Sequence, residues 1–201
     1  MTSTSDTSED AKSHKLLGDA PAELAGLSPA YFGLVMATGI VSIAAHLLAM
    51  PAVAQALFLL NCVFYVVLWL LTLLRIVRYP RRVFGDLIDH QRGPGFFTVV
   101  AGTCVLGSQF VVLIEGYRIA LVLCGGAVVL WIGLTYTIFT GFTVKQRKPT
   151  LQQGISGAWL LAVVATQSIA VLSALLAGHV EQPGRLELNF LALSMWLWGG
   201  M

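Results

Sequence analysis

Long apolar stretches dominate this 201-residue sequence and restrict what it can fold into. Five of them reach the roughly 20 residues that a helix needs to cross a hydrocarbon core of about 30 Å, and a sixth is shorter. The predicted spans cover about residues 29–48, 52–74, 95–114, 117–142, 156–177 and 188–201. Because an isolated apolar segment can satisfy its backbone in lipid only as a helix, we predict an all-α integral membrane protein.

The composition excludes a water-soluble domain. Hydrophobic residues make up 57% of the sequence and charged residues 11%, and the mean hydropathy is +0.80. A soluble domain of this length could not bury so much apolar surface. Residues 1–27 differ, because they are rich in Ser, Thr, Asp and Glu. We predict a disordered cytosolic tail there and a transmembrane domain over residues 28–201.

The placement of positive charge predicts the orientation. Ten of the twelve Lys and Arg residues lie in the amino-terminal tail or in the joints that follow spans 2 and 4. These ten are Lys12, Lys15, Arg75, Arg78, Arg81, Arg82, Arg92, Lys145, Arg147 and Lys148. By the positive-inside rule they face the cytoplasm. We therefore expect a multi-pass protein of the plasma membrane with a cytoplasmic amino terminus.

The sequence gives no sign of a metal or cofactor site. Cys62, Cys104 and Cys124 all lie inside predicted spans and lack the spacing of metal ligands. Such cysteines are expected to act as small buried residues. We predict no cofactor, no metal and no nucleic-acid partner.

A repeated segment occurs in the first, third and fifth spans. It reads PAYFGLVMAT at residues 29–38, PGFFTVVAGT at residues 94–103 and GAWLLAVVAT at residues 157–166, so the copies recur about every 65 residues. In each copy an aromatic residue precedes a threonine by seven positions. This period predicts an array of parallel helical hairpins, with the odd-numbered spans inside and the even-numbered spans outside.

The repeat places small and polar residues near the middle of the membrane. Nine residues separate Pro29 from Thr38, which is about 13.5 Å of helix rise. Uncharged hydroxyl and amide groups at this depth predict a path for a partly dehydrated solute, although close helix packing also explains the glycines. The predicted lining consists of Thr38, Gly39, Ser42, Gly102, Thr103, Thr166 and Gln167. Asn61 and Thr72 are expected to make hydrogen bonds between helices.

The distribution of charge narrows the choice of solute. No Asp, Glu, Lys or Arg lies deep within the first five spans, which argues against an ion pump with a carboxylate relay. Parallel inner helices would point their positive amino-terminal ends at the cytosolic mouth, where Arg82 and Arg92 add charge that attracts anions. The same arginines equally fit a role as topology signals or as lipid headgroup contacts.

The phrase PAYFGLVMATGIVSIA, residues 29–44, resembles the start of the tellurite-resistance/dicarboxylate transporter family. That family includes malate and sulfite carriers and plant slow anion channels. The resemblance implies five helical hairpins around a central pore, homotrimers, and passage of anions without ATP hydrolysis. On that scheme this sequence holds about two and a half to three hairpins, so we expect a truncated chain. The family's gating phenylalanine belongs to the fifth hairpin, and Phe96 and Phe97 do not replace it.

We therefore predict a membrane transporter or channel for small anions, with C4-dicarboxylates such as malate as the first choice and sulfite or tellurite-related anions as the alternative. Its expected partners are the anion, the lipid bilayer and further copies of the chain. A non-transporting membrane scaffold remains a second alternative. A third is a rhomboid-type serine protease, because GISG at residues 154–157 contains Ser156. That enzyme needs a nearby histidine, and His46 and His179 are both predicted near the opposite face, so we predict no enzyme activity.

Overall fold

The computed structural model describes residues 26–89, 91–144 and 157–200 of the chain, and within these residues the structure is all-α. Seven α-helices are described: α1 (Phe32–Leu47), α2 (Pro51–Arg78), α3 (Pro80–Leu87), α4 (Phe97–Ile114), α5 (Tyr117–Val144), α6 (Leu160–Ala177) and α7 (Gly184–Gly200). Short 3₁₀ turns precede α1, α4 and α6, at Pro29–Tyr31, Gly93–Phe96 and Gly157–Trp159. The tail predicted over residues 1–27 lies almost entirely outside the described residues.

The helix starts follow from local chemistry. The Ser28 side chain accepts a hydrogen bond of 3.3 Å from the Ala30 backbone N–H, and Pro29 occupies the first turn. A hydroxyl before the first turn satisfies a backbone donor that has no partner in the helix, and proline lacks that donor. The structure thus has the helix start that the sequence predicts at Ser28-Pro29.

The helices pair into hairpins, and the odd-numbered spans lie side by side. The hairpins are α1 with α2, α4 with α5, and α6 with α7. Helix α4 packs between α1 and α6, and 72% of its most apolar stretch is buried, against 28% for the α1 span and 17% for α2 and α5. The predicted arrangement of inner odd-numbered and outer even-numbered spans is thus confirmed.

The outer helices expose large apolar side chains. Leu59 and Leu70 of α2 are 65% and 62% exposed, and Val122 of α5 is 75% exposed. In water such a surface would drive association, whereas lipid solvates it without cost. Five helices of the described part are long and apolar enough to cross a membrane. The protein is an integral, multi-pass membrane protein.

A buried amide pair joins three helices. Asn61 of α2 donates from Nδ2 to Gln109 Oε1 of α4 at 2.6 Å, and both side chains are fully buried. Gly39 of α1 packs against the pair, because a Cβ there would lie 3.0 Å from Asn61 Nδ2 and 3.1 Å from Gln109 Oε1. The predicted interhelical bond of Asn61 is confirmed. The Thr72 side chain, for which the same was expected, makes no hydrogen bond within the described residues.

Helix α3 was not predicted from the sequence, because its arginines resemble a polar loop. Val83 and Leu87 pack against the main apolar core. Between them Asp86 pairs with Arg75 of α2 and with Arg92 before α4, the latter at 3.0 Å. Arg75 is only 3% exposed, so this carboxylate supplies the counter-charge that a buried guanidinium requires. The two ion pairs hold α3 across the end of the bundle.

Replacing Gly39 with alanine should destabilise the protein. The added Cβ would lie 2.5 Å from Val105 Cγ1 of α4, so α1 and α4 would have to separate. Overpacking of this kind costs about 1–3 kcal/mol. Thermal unfolding in detergent measures the effect. Gly125→Ala is the matched control, since no atom lies within 4 Å of a Cβ at that position; equal unfolding temperatures for the two variants would contradict the packing role of Gly39.

Candidate functional site

A cleft of about 300 Å³ separates the inner helices α4 and α6. Val105 and Ser108 of α4 line it, three residues apart, and Val164, Ser168 and Val171 of α6 line it at spacings of three and four. Residues at these spacings lie on one face of a helix. The remaining lining residues are Cys104, Val163 and Gln167. One face of α4 and one face of α6 therefore line the same cleft.

The opposite face of α4 is covered by the outer helices. Phe110 meets Phe58 of α2 with ring centroids 5.1 Å apart, and Thr103 is hydrogen-bonded to Tyr65 of α2 at 3.1 Å. The α4 face at Val105 and Ser108 is therefore the one that the outer helices leave uncovered.

The lining of the cleft is neutral. None of its eight residues carries a charge, and four of them are valines. The Ser108 hydroxyl donates to the Cys104 carbonyl at 3.0 Å, and the Ser168 hydroxyl donates to the Val164 carbonyl at 2.7 Å. A hydroxyl can rotate and exchange such a bond for one to a solute. The cleft can therefore offer donors to a solute without holding it by a fixed charge.

Two of the predicted threonines contact the outer helices. The Thr103 hydroxyl donates to the Val99 carbonyl at 2.7 Å, so Tyr65 of α2 donates to Thr103 Oγ1 at 3.1 Å. The Thr166 hydroxyl accepts from Trp131 Nε1 of α5 at 2.9 Å. Thr103 and Thr166 are 2% and 3% exposed, and neither is among the residues that line the cleft.

These two hydrogen bonds are equivalent within the repeat. In each, the threonine of an inner helix meets an aromatic donor on the outer helix of the preceding hairpin, and Tyr65 and Trp131 are separated by about the same 65 residues as the repeat. Thr38 occupies the same position in the first copy. It is half-buried, and its hydroxyl makes no hydrogen bond within the described residues. We call the two observed bonds the threonine–aromatic bonds.

Of the other predicted lining residues, Ser42 and Gly102 contact neighbouring helices and Gln167 lines the cleft. Ser42 is fully buried and donates to the Ala54 carbonyl of α2 at 2.8 Å. A Cβ at Gly102 would lie 3.2 Å from the Phe32 carbonyl oxygen of α1, which shows how closely the two helices approach. Gln167 lines the cleft and donates to the Trp196 carbonyl at 3.1 Å. The lining role of the complete set stays a prediction.

Sequence reasoning missed the aromatic partners and the buried ion pair. Tyr65 and Trp131 recur with the repeat, and that recurrence was a usable signal. Arg75 and Asp86 gave no such signal, because they lie eleven residues apart on different helices.

The predicted mouth arginines have different surroundings. Arg92 forms an ion pair with Asp86, and its Nη1 lies 3.0 and 3.1 Å from the two carboxylate oxygens. Arg82 is exposed, and its guanidinium carbon lies 5.6 Å from the centre of the Tyr79 ring. Both lie at the end of the bundle where α1, α4 and α6 begin.

The two histidines considered in the protease hypothesis both lie at one end of the bundle. Ser156 lies outside the described residues. His179 stacks on Tyr117 with ring centroids 4.4 Å apart, at the end of the bundle where α5 begins and α6 ends. His46 lies in the last turn of α1, at that same end.

The threonine–aromatic bond at Thr103 can be tested by a double-mutant cycle. Tyr65→Phe and Thr103→Val each remove one hydroxyl, and each should lower the free energy of unfolding by about 0.6–2 kcal/mol, the range for hydrogen bonds between membrane helices. Because the two residues share one bond, the double variant should lose little more than either single variant. Trp131→Phe with Thr166→Val repeats the cycle at the second copy. Strictly additive losses would contradict the bond.

Comparison with known families gives one match. The profile of the SLAC1 family, described as voltage-dependent anion channel, matches residues 26–201 and so includes every helix of the described part. Neither the comparison with curated proteins nor that with solved structures gives a match. The match confirms the family that the phrase at residues 29–44 indicated. The chain belongs to the SLAC1 family of voltage-dependent anion channels.

Proposed function

We propose that this protein passes small anions across the membrane, without ATP hydrolysis, along a path that the cleft between α4 and α6 helps to line. The observation that carries the proposal is the neutral cleft between parallel helices whose starts meet at one end of the bundle. The helix starts favour anions, and the absence of fixed charge in the cleft avoids trapping them.

The helix starts are physically joined. The Thr98 hydroxyl near the start of α4 donates to the carbonyl of Pro29, before α1, at 2.8 Å. The 3₁₀ turn at Gly93–Phe96 also contacts the turn at Gly157–Trp159 that precedes α6. Each helix amino terminus carries about half a positive charge. Three such ends near Arg82 and Arg92 produce a positive potential at this mouth, which attracts anions and repels cations.

The cleft suits a small, weakly bound solute. Its volume of about 300 Å³ is at the low end of the range for small-molecule pockets, about 300–1,000 Å³. Ser108 and Ser168 supply hydroxyls from facing helices, so an anion with two carboxylates can be bonded at both ends. We therefore propose C4-dicarboxylates such as malate as the preferred substrate, with sulfite or tellurite-related anions as the alternative.

The proposed assembly extends the observed repeat. A ring of five hairpins would bring another outer helix to Thr38, whose hydroxyl has no partner within the described residues. We further propose that the protein forms homotrimers in the plasma membrane with its amino terminus in the cytoplasm, as the positive-inside rule predicts.

Efflux of anions from proteoliposomes tests the proposal. The protein is reconstituted into vesicles that contain malate, sulfite or tellurite. The efflux of each anion is compared with that from loaded vesicles that lack the protein. We expect malate efflux above that of the other two anions. Faster sulfite or tellurite efflux would support the alternative substrate, and no efflux of any anion would leave the membrane scaffold as the better hypothesis.

A charge placed in the cleft should block anions. Ser108→Asp introduces a carboxylate among the valines of α4 and α6, whereas Ser108→Asn is a neutral control of nearly the same size. We expect anion efflux through the Asp variant to be at least tenfold slower than through the Asn variant, which corresponds to about 1.4 kcal/mol at the barrier. Equal efflux through the two variants would place the path elsewhere.

The predicted lining role of the threonines has its own test. If Thr103 contacts the solute, Thr103→Val should change the ratio of malate to sulfite efflux, and Tyr65→Phe should leave that ratio unchanged. If the threonine only joins the helices, both variants should lower stability and leave the ratio as it is. Ser108→Ala serves as the comparison, because Ser108 lines the cleft.

A further inference from the structure

Three arginines form an exposed basic surface beside the membrane-spanning part of α2. Arg78 ends α2, and Arg81 and Arg82 lie in the first turn of α3. All three are exposed, and within the described residues none of them forms an ion pair. We call these three residues the basic patch.

The nearby carboxylates are already engaged. Asp86 binds Arg75 and Arg92. One oxygen of Asp89 accepts the backbone N–H groups of Gln91 and Arg92 at 2.9 and 3.0 Å. The other carboxylates of the described residues, Glu115, Glu181 and Glu187, belong to the opposite end of the bundle. The basic patch therefore keeps its charge uncompensated by the described chain.

The basic patch lies at the edge of the exposed apolar surface of α2, which is where lipid headgroups are expected. On α2 the exposed apolar surface continues through Leu73, Leu74 and Ile76 to Val77, which is 80% exposed, and the patch begins at the next residue. Phe84 of α3 is 66% exposed beside it. A helix that offers arginines and an aromatic side chain at the edge of an apolar surface is typical of a membrane–water interface.

The patch is held in a fixed place. Val83 and Leu87 pack against the core, and a Cβ at Gly141 of α5 would lie 2.7 Å from Ile88 Cγ2, just after α3. The Arg82 guanidinium lies over the Tyr79 ring. Because α3 cannot drift away from the bundle, its arginines stay at one height along the membrane normal.

We propose that the basic patch binds the headgroups of anionic phospholipids, with Phe84 at the boundary of their acyl chains. The argument rests on charge complementarity: guanidinium groups pair with phosphate in bidentate geometry, and the neighbouring surface is already solvated by lipid. Arg78 and Arg81 lie outside the proposed anion path, whereas Arg82 belongs both to the basic patch and to the proposed mouth.

Native mass spectrometry of the detergent-solubilised protein tests the proposal. Phosphatidylglycerol and phosphatidylcholine with identical acyl chains are titrated separately, and the ratio of their binding constants is measured. The variant Arg78→Gln/Arg81→Gln should lower this ratio by about fivefold for each arginine removed, since each basic residue near an anionic surface contributes on the order of 1 kcal/mol. These two residues have no part in the proposed mouth, so efflux serves as a separate readout of folding.

The matched control removes two arginines from the other end. Arg118→Gln/Arg185→Gln deletes the same charge from exposed sites and should leave the ratio unchanged. An equal decrease in both double variants would overturn the proposal, because it would show an effect of net charge alone. Glycerol 3-phosphate, a soluble phosphate ester without acyl chains, should show no binding at the concentrations used for the lipids. Binding of glycerol 3-phosphate as tight as that of phosphatidylglycerol would also overturn it and indicate a site for free phosphate esters.

Discussion

The close approach of the inner helices is the interaction on which the rest of the structure depends. In lipid there is no hydrophobic effect to press one helix on another, so association relies on tight packing and on interhelical hydrogen bonds. Gly39 and Gly102 allow α1 and α4 to pack closely, and the Leu172 side chain of α6 packs against Gly107. A larger residue at any of them would separate helices whose shared face forms the cleft.

Polar groups in this protein are used mainly to join helices. The Asn61–Gln109 pair and the two threonine–aromatic bonds each connect an inner helix to an outer one. Such bonds are directional, so they fix the rotation of the inner helices as well as their spacing. Ser108 and Ser168 then face the cleft between α4 and α6 because the other polar groups hold the helices in that rotation.

Charge is confined to the ends of the bundle, and it has two separate uses there. The Arg75–Asp86–Arg92 group holds α3 under the bundle, which places the remaining arginines on its outer side. The interior of the described part stays neutral, so on the proposed path an anion meets positive potential at the mouth and only weak dipoles beyond it. This division fits a channel of the SLAC1 family, in which an ion must enter readily and leave readily.

The sequence by itself determined the five long apolar helices, the hairpin repeat and the order of inner and outer helices. Each follows from local facts: the bilayer fixes the length of an apolar helix, and the repeat at Thr38, Thr103 and Thr166 fixes the period. Only the tertiary structure decided where these threonines point, which aromatic residues they meet and that α3 forms. Thr103, Ser108 and Gln109 lie on different sides of α4, because a one-residue step turns a side chain by about 100°. The sequence pattern therefore marks no single polar face, and the packing of the neighbouring helices decides which side chains line the cleft.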